Sequence, residues 1–366
     1  MKVAMIFPSR NSEKAISSYT IYLVGALKKV GVDVDALTYT AGSYKSFKKL
    51  YSKLKNYDVI HIQHEYNLLG GYGLPFFYIY YKLKSFKKQK IFTTMHTALS
   101  LKEKFSGSLL KTFFRKILYI FQNKLLNYKS DFIIVHSDFF KHILEKEYNF
   151  SPKKIKVFSH GIVENIKIIS KEVAKKELEL KGNIYLIIGN LHKDHGADLI
   201  LEQADKIGKT ILVVSSPHPV NDRKKDRLRK YMQNLKDIVK KNNFQKYVHF
   251  EIKHISDEMP DWWKYFIAAD FVLQPYRGGV ASGIFTHAMA TKTPIIGSNI
   301  PFFKDVSKKY DCVKIVKNDQ DYGKNIQEQL EPKNYEKMVA GCEKYFKENN
   351  WTSVAKEYKK LYGSSK

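Results

Sequence analysis

The sequence predicts an α/β protein of two domains, each organised on a parallel sheet. Residues 2–37 read strand, helix, strand: an apolar Lys2–Phe7, a helical spacing of Ile16, Tyr19, Leu23, Leu27 and Val30, a closing Gly31, and an alternating Val32–Leu37. The same alternation starts again at Asn183–Ile188, so the architecture repeats although the sequence does not. A chain of 366 residues allows two domains, each with its own core.

Taken in order, Asp58–Gln63 is a buried third strand running into His64-Glu65-Tyr66-Asn67. Polar residues at the carboxyl end of a parallel strand face the crevice where α/β sheets bind ligands. Glu65 and Tyr66 are therefore candidate ligand contacts, with a loop-structuring role as the alternative for Glu65. Leu74–Lys88 is an aromatic, basic helix, and Ile91–Met95 a strand ending at His96. Residues 106–129 form a long helix with apolar residues around most of its circumference and several cations. Asp131–Val135 is a strand, His136-Ser137-Asp138 caps a helix, and Ile155–Phe158 leads to Ser159-His160-Gly161. The charged stretch 166–182 reads as an inter-domain linker. The expected division is 1–165, a linker at 166–182, 183–344, and a terminal helix within 345–366.

Within the second domain, Ile211–Val214 and Tyr247–Ile252 are strands flanking a long basic helix, Asn221–Lys241. Pro260–Ala269 is a helix bearing Trp262, Trp263 and Phe266. Residues 270–300 then carry the densest signal. Asp270–Gln274 is a strand stopped by Pro275, Arg277–Ser282 a loop with adjacent glycines, and Ser282 an N-cap for a helix of about ten residues. The first N–H groups of a helix lack intrahelical partners and the helix dipole favours negative charge there, so Ser282, Gly283 and Ile284 form a candidate anion site. Arg277 is a permanent cation on the same loop. Helical side chains lean toward the N-terminus, which points His287 back toward the loop mouth, as a hydroxyl partner or as a cation beside phosphate. A buried histidine in an ordinary strand–helix unit is the alternative. Phe302–Val306, Cys312–Val316 and two helices complete this half.

The formal charge is +27, of which residues 1–165 carry +16 and the remainder +11. Such a field favours polyanions, whether nucleic acid, anionic membrane or phosphorylated substrates, against the plainer reading of a lysine-rich solvated surface. Basic, aromatic helices such as 44–55, 76–90 and 106–129 suit an anionic membrane surface, with core helices and snorkelling lysines as the alternative. No nucleic-acid motif is present, so nucleic acid is not the expected partner. No apolar run approaches a membrane span, Met1–Phe7 is too short for a signal peptide, and Cys312 and Cys342 have no metal or redox spacing. The expectation is a cytoplasmic protein, with a peripheral position on the inner face of the membrane.

The run Pro275-Tyr276, Ala281-Ser-Gly-Ile284, Ala288-Met-Ala290 and Pro294-Ile-Ile-Gly-Ser298 resembles the donor-site signature of family 4 glycosyltransferases. The resemblance continues in His61-Ile-Gln-His-Glu-Tyr66, in Thr93-Thr-Met-His-Thr97, in His160-Gly161, and in Ile187–Ala204. It implies the GT-B fold, two Rossmann-like domains facing across a cleft with a C-terminal helix crossing back. It further implies a retaining, metal-independent transfer from a nucleotide-diphosphate sugar of UDP or GDP type to a hydroxyl. The expected acceptor is a lipid-linked or cell-envelope glycan. No cofactor beyond that co-substrate is implied. By the same resemblance His96 sits near the transferred sugar, Glu65 and Tyr66 meet the acceptor, and the backbone around Ile255 reads the base.

The pattern also breaks. The family's first helix usually begins with glycines, where this chain has Ala15. Asn190 and His195 stand where an Arg and a Lys usually neutralise the diphosphate, with Lys193 nearby as a replacement. Gly279 and His287 stand where two glutamates usually contact sugar and ribose. Losing one charge-assisted hydrogen bond typically costs about 1.5–3 kcal/mol. A non-catalytic GT-B partner or scaffold in glycan assembly is therefore the second hypothesis.

Overall fold

A computed structural model describes residues 1–66, 68, 70, 73–83, 88–102, 108–189, 191–215, 222–257, 259–278 and 282–364, without the side chains of 222–225. The chain divides into two compact units, residues 1–161 with 349–366, and residues 162–348.

Unit 1 holds a six-stranded sheet in the order β2-β1-β3-β4-β5-β6: β1 Lys2–Pro8, β2 Asp33–Tyr39, β3 Val59–His64, β4 Lys90–Met95, β5 Phe132–Val135 and β6 Ile155–Val157. Unit 2 repeats the plan as β12-β11-β10-β7-β8-β9: β7 Ile184–Ile188, β8 Thr210–Ser215, β9 Val248–Ile252, β10 Phe271–Gln274, β11 Ile295–Ser298 and β12 Val313–Val316. Every pairing in both sheets is parallel, for example Val3 opposite Val59 and Val272 opposite Ile295. Helices cover such sheets on both faces, which explains why β3, β7 and β10 are buried at every position.

The first helix, Lys14–Lys29, buries Ile16, Tyr19, Leu23 and Leu27, the residues whose spacing predicted it. The expected terminal helix is two helices, Pro332–Asn349 and Trp351–Gly363, broken at Asn350, whose side chain caps the second by accepting from the Ser353 N–H. That second helix belongs to unit 1. Tyr358 and Tyr19 bring their hydroxyls within 3.3 Å, Tyr362 Oη lies 2.6 Å from His61 Nδ1, and a Cβ at Gly161 would overlap the Trp351 ring.

Residues 166–182, expected as a linker, belong to unit 2. Ser170 caps a helix over Lys171–Glu177. Lys171 and Lys175 reach the largely buried Asp270 at 3.1 and 3.5 Å, and Asp270 also accepts the Ile184 N–H at 2.8 Å. A charged stretch thus joins the domain because a buried carboxylate requires its cations. The segment from Phe302 to Val306 lies in a helix, Pro301–Ser307, begun by proline at its first position.

Candidate active site

In unit 2, β7 and β10 are neighbours, yet the chain leaves β7 toward β8 and leaves β10 toward β11. The space outside their carboxyl ends is a topological switch point, where open α/β sheets bind ligands. The segments entering it begin after Ile188 and Gln274, and they contain Lys193, His195, Arg277, Ser282 and Gly283.

The structure ties these two segments together. The Arg277 N–H donates to the Asp194 carbonyl at 2.9 Å, and the guanidinium donates to the Lys193 carbonyl at 2.6 Å. It also grips both oxygens of Asp198, at 2.8 and 2.6 Å. Tyr231 donates to the same carboxylate at 2.6 Å. Burial pushes the Asp198 pKa up, but the hydrogen bonds from Arg277 and Tyr231 outweigh it and hold the group below the ordinary carboxylate range. Arg277, expected as a cation beside the anion site, is therefore also a clamp, its charge shared with Asp198. His195 stacks on Tyr276 with ring centres 4.9 Å apart, and the Tyr276 hydroxyl lies 2.9 Å from Ser282 Oγ. Lys193 is exposed.

Gly196 makes the approach possible. It is left-handed, at φ +67°, and a Cβ there would lie 1.9 Å from the Pro275 carbonyl oxygen. The helix Gly283–Ala290 opens beside this clamp, with Ser282 Oγ accepting the Ile284 N–H at 3.2 Å. Among the described residues, its chain neighbours and its own helix aside, nothing lies within 4 Å of where a Cβ on Gly283 would be, which leaves room for a ligand beside its backbone.

His287 departs from expectation. Its ring sits among Trp262, Trp263 and Phe266, Nδ1 accepts from Trp262 Nε1 at 3.2 Å, and Nε2 lies 3.8 Å from Asp257. Burial drives its pKa down to about 4 against the pull of Asp257, so it is neutral near pH 7 and is no phosphate cation. Ile255 packs its side chain into the core, leaving only its backbone to meet a ligand. Asn190 and Gly279 lie outside the described residues.

In unit 1 the switch point falls between β1 and β3. The first helix does not offer a vacant N-terminus. Glu13 caps it with its own carboxylate, accepting the Ala15 and Ile16 N–H groups at 3.0 and 2.7 Å. Where the family resemblance implies glycines, this chain supplies an internal anion. An acidic residue just before an apolar-periodic helix is a legible capping signal, and it was overlooked in the sequence. Asp198 could not be paired with Arg277 from the sequence, since 79 positions separate them.

His96 follows β4. Its Nε2 lies 2.9 Å from Gln63 Oε1, while Gln63 Nε2 donates to the Met5 sulfur. With that amide orientation His96 donates from Nε2 and keeps a lone pair on Nδ1. Burial, then the neighbouring histidines His136 and His160, hold its pKa well below the usual value. Tyr19 lies edge-on to it at 4.9 Å. Glu65 accepts the Tyr66 N–H at 3.0 Å, and burial raises its pKa against a hydrogen bond from Thr97. Tyr66, expected at the acceptor, is instead interior. Its hydroxyl donates to Asn123 at 3.0 Å and its ring packs on Tyr119 at 4.5 Å, because Tyr66 turns inward under the Leu109–Lys129 helix.

Replacing Arg277 with Ala is expected to slow any sugar transfer at least tenfold, and Arg277→Lys to recover only part of it, since an ammonium cannot span both Asp198 oxygens. Steady-state kinetics on both variants measure this; an unchanged rate in Arg277→Ala removes Arg277 from the mechanism.

Residues 39–165 match the family described as Glycosyltransferase Family 4. No curated protein matches the chain in sequence. Among solved structures, sucrose-phosphate synthase from Thermosynechococcus elongatus superposes with a TM-score of 0.76 at 17% identity, over 100% of this chain and 98% of that one. Anabaena HepE, solved with UDP and glucose, gives 0.69 at 13% identity over 100% of both chains. WaaG, a glycosyltransferase involved in lipopolysaccharide biosynthesis, gives 0.62 at 14%, over 97% and 98%. At such identities the likeness is one of fold, the two-domain GT-B architecture that the sequence resemblance implied.

Proposed function

We propose that this chain, a family 4 glycosyltransferase of GT-B fold, is a retaining, metal-independent enzyme using a nucleotide-diphosphate sugar. It transfers the glycosyl group to a hydroxyl of a lipid-linked or cell-envelope glycan, working at the inner face of the membrane. The observation that carries the reading is the convergence of the segments after β7 and β10 on the N-terminus of the Gly283–Ala290 helix, where a neutral hydroxyl, and not a carboxylate, is the cap. Backbone N–H groups at that end, with Lys193 and the clamped Arg277, stabilise charge on the departing diphosphate. His96, neutral and fixed by Gln63, orients the sugar by hydrogen bonding. The chain loses some of the cationic character its family resemblance implies, because Asn190 and His195 stand in place of an Arg and a Lys, and neither the neutral His287 nor the Asp198-bound Arg277 makes up the whole difference.

A UDP-type donor is favoured by analogy with HepE, solved with UDP and glucose, and an envelope-glycan acceptor by analogy with WaaG. Glu13, which fills the first helix's N-terminus with a carboxylate, favours a second reading, a non-catalytic partner in glycan assembly. Calorimetric titration with UDP, GDP, ADP and CMP separates the two. Binding of one diphosphate, UDP first, is the expected result. No heat with any of them from folded protein moves the assignment to the non-catalytic partner.

A further inference from the structure

The Leu109–Lys129 helix is built inside out. Its buried residues are Gln122, Asn123 and Leu126, and none of residues 109–121 is buried. Leu109, Leu110, Phe113, Phe114, Phe121 and Tyr128 are exposed, Leu109 by 90% and Phe114 by 61%. At 100° per residue, Leu110, Phe113, Phe114, Phe121 and Tyr128 fall on one side of the helix, opposite Gln122, Asn123 and Leu126. Two amides thus occupy the protected face while phenylalanines occupy the open one, the reverse of a helix that covers a domain core.

Charge accompanies this apolar face. The helix contains Lys111, Arg115, Lys116, Lys124 and Lys129, and no Asp or Glu. Lys124 lies over the Phe121 ring at 5.9 Å and Lys129 over the Tyr128 ring at 4.3 Å. The helix Leu74–Leu83, packed beside it, exposes Leu74, Tyr78 and Tyr81 at helical spacing and sets Lys82 over Tyr78 at 5.4 Å. Exposed aromatics with ammonium groups above them match the layering of a bilayer surface, acyl boundary below and lipid phosphates above. A two-fold pairing of this face with a second copy would set Lys111, Lys124 and Lys129 against the same three cations.

We propose that the outward face of the Leu109–Lys129 helix is a docking surface for an anionic lipid bilayer, with Leu110, Phe113, Phe114 and Phe121 entering the acyl boundary and Lys111 and Lys124 meeting lipid phosphates. This extends the reading of a lipid-linked acceptor by naming the element that holds the chain at the membrane, and it rests on that reading only for its purpose. No helix among the described residues is long and apolar enough to cross a membrane.

The test is flotation of the full chain with vesicles of phosphatidylcholine alone and with one-third phosphatidylglycerol added, beside calorimetry with UDP on the same samples. Binding to the anionic vesicles, weakened at least tenfold by Phe113→Ser with Phe114→Ser, is expected. Lys111→Gln with Lys124→Gln is expected to weaken it roughly thirtyfold. All four side chains lie on the outward surface or its flanks, so far-ultraviolet circular dichroism and UDP binding should match the parent. Equal binding to both vesicle types, no binding to either, or binding indifferent to the two phenylalanines overturns the proposal. A dimer in sedimentation that Phe113→Ser with Phe114→Ser dissolves, without vesicle binding, assigns the face to self-association instead. Absent UDP binding with intact vesicle docking sinks the donor-site reading alone.

Discussion

Gly196→Ala is expected to be the most damaging single-methyl change at the candidate site. The left-handed conformation alone costs about 1–2 kcal/mol for a residue with a Cβ. The new methyl would also lie 1.9 Å from the Pro275 carbonyl oxygen, so backbone on one side or the other must retreat. A combined loss of about 3 kcal/mol is reasonable, and for a domain of this size it lowers the melting temperature by roughly 6–12 °C. Retreat would also part Arg277 from the Lys193 carbonyl, so nucleotide affinity should fall more than tenfold. Gly208→Ala is the control. Gly208 has nearly the same φ, +66°, but the nearest atom to its added Cβ, the Asp205 carbonyl oxygen, is 3.6 Å away. It should show the conformational loss without the loss of binding. Calorimetric scans and UDP titrations of both variants measure the difference. Equal effects from the two would mean that the approach of the loops to each other is unimportant.

Mild acid should unfold unit 1 before unit 2. His61 and His64 are wholly buried, with pKa values pushed down to about 3, and burial takes His136 to about 4. Each is neutral in the fold and ordinary, near 6.5, in the unfolded chain. The unfolded state therefore binds more protons below that value, and stability present above it is lost as pH falls toward the folded pKa. Between about pH 7 and pH 5 each such histidine removes about 2 kcal/mol. Two or three together approach the whole stability of an ordinary domain. Unit 2 holds His287 with the same sign, at about 4, partly offset by Asp257. Thermal scans at pH 7, 6 and 5, with limited proteolysis to assign the transitions, should show the melting of residues 1–161 and 349–366 falling faster. Parallel shifts in both units would contradict the burial of the three histidines.

Much of this fold is legible in the residues. Short apolar runs ending at polar residues mark the parallel strands, and the spacing of Ile16, Tyr19, Leu23 and Leu27 marks the first helix, because burial on one face imposes a period that the sequence must carry. Ser282 and Ser137 read as caps because a hydroxyl one step before a helix satisfies a nearby N–H. The stretch from Pro275 to Ile284 reads as a candidate binding loop for the same local reason.

The charged partners were not legible. Arg277 could be named as a cation, but its attachment to Asp198 depends on β7 and β10 lying side by side, a pairing between distant segments. His287 reads on its helix as a residue aimed at the loop mouth. The tertiary structure instead brings Trp262, Trp263 and Phe266 around it, and desolvation by those rings removes its charge. Tyr66 reads as a strand-end polar residue, yet the Leu109–Lys129 helix covers it. The sequence by itself determined the strands, the helices, the caps and the family resemblance, since each rests on neighbours within a few residues. Only the tertiary structure decided which polar groups are charged, paired or buried, because desolvation and Coulomb interaction depend on distance in space.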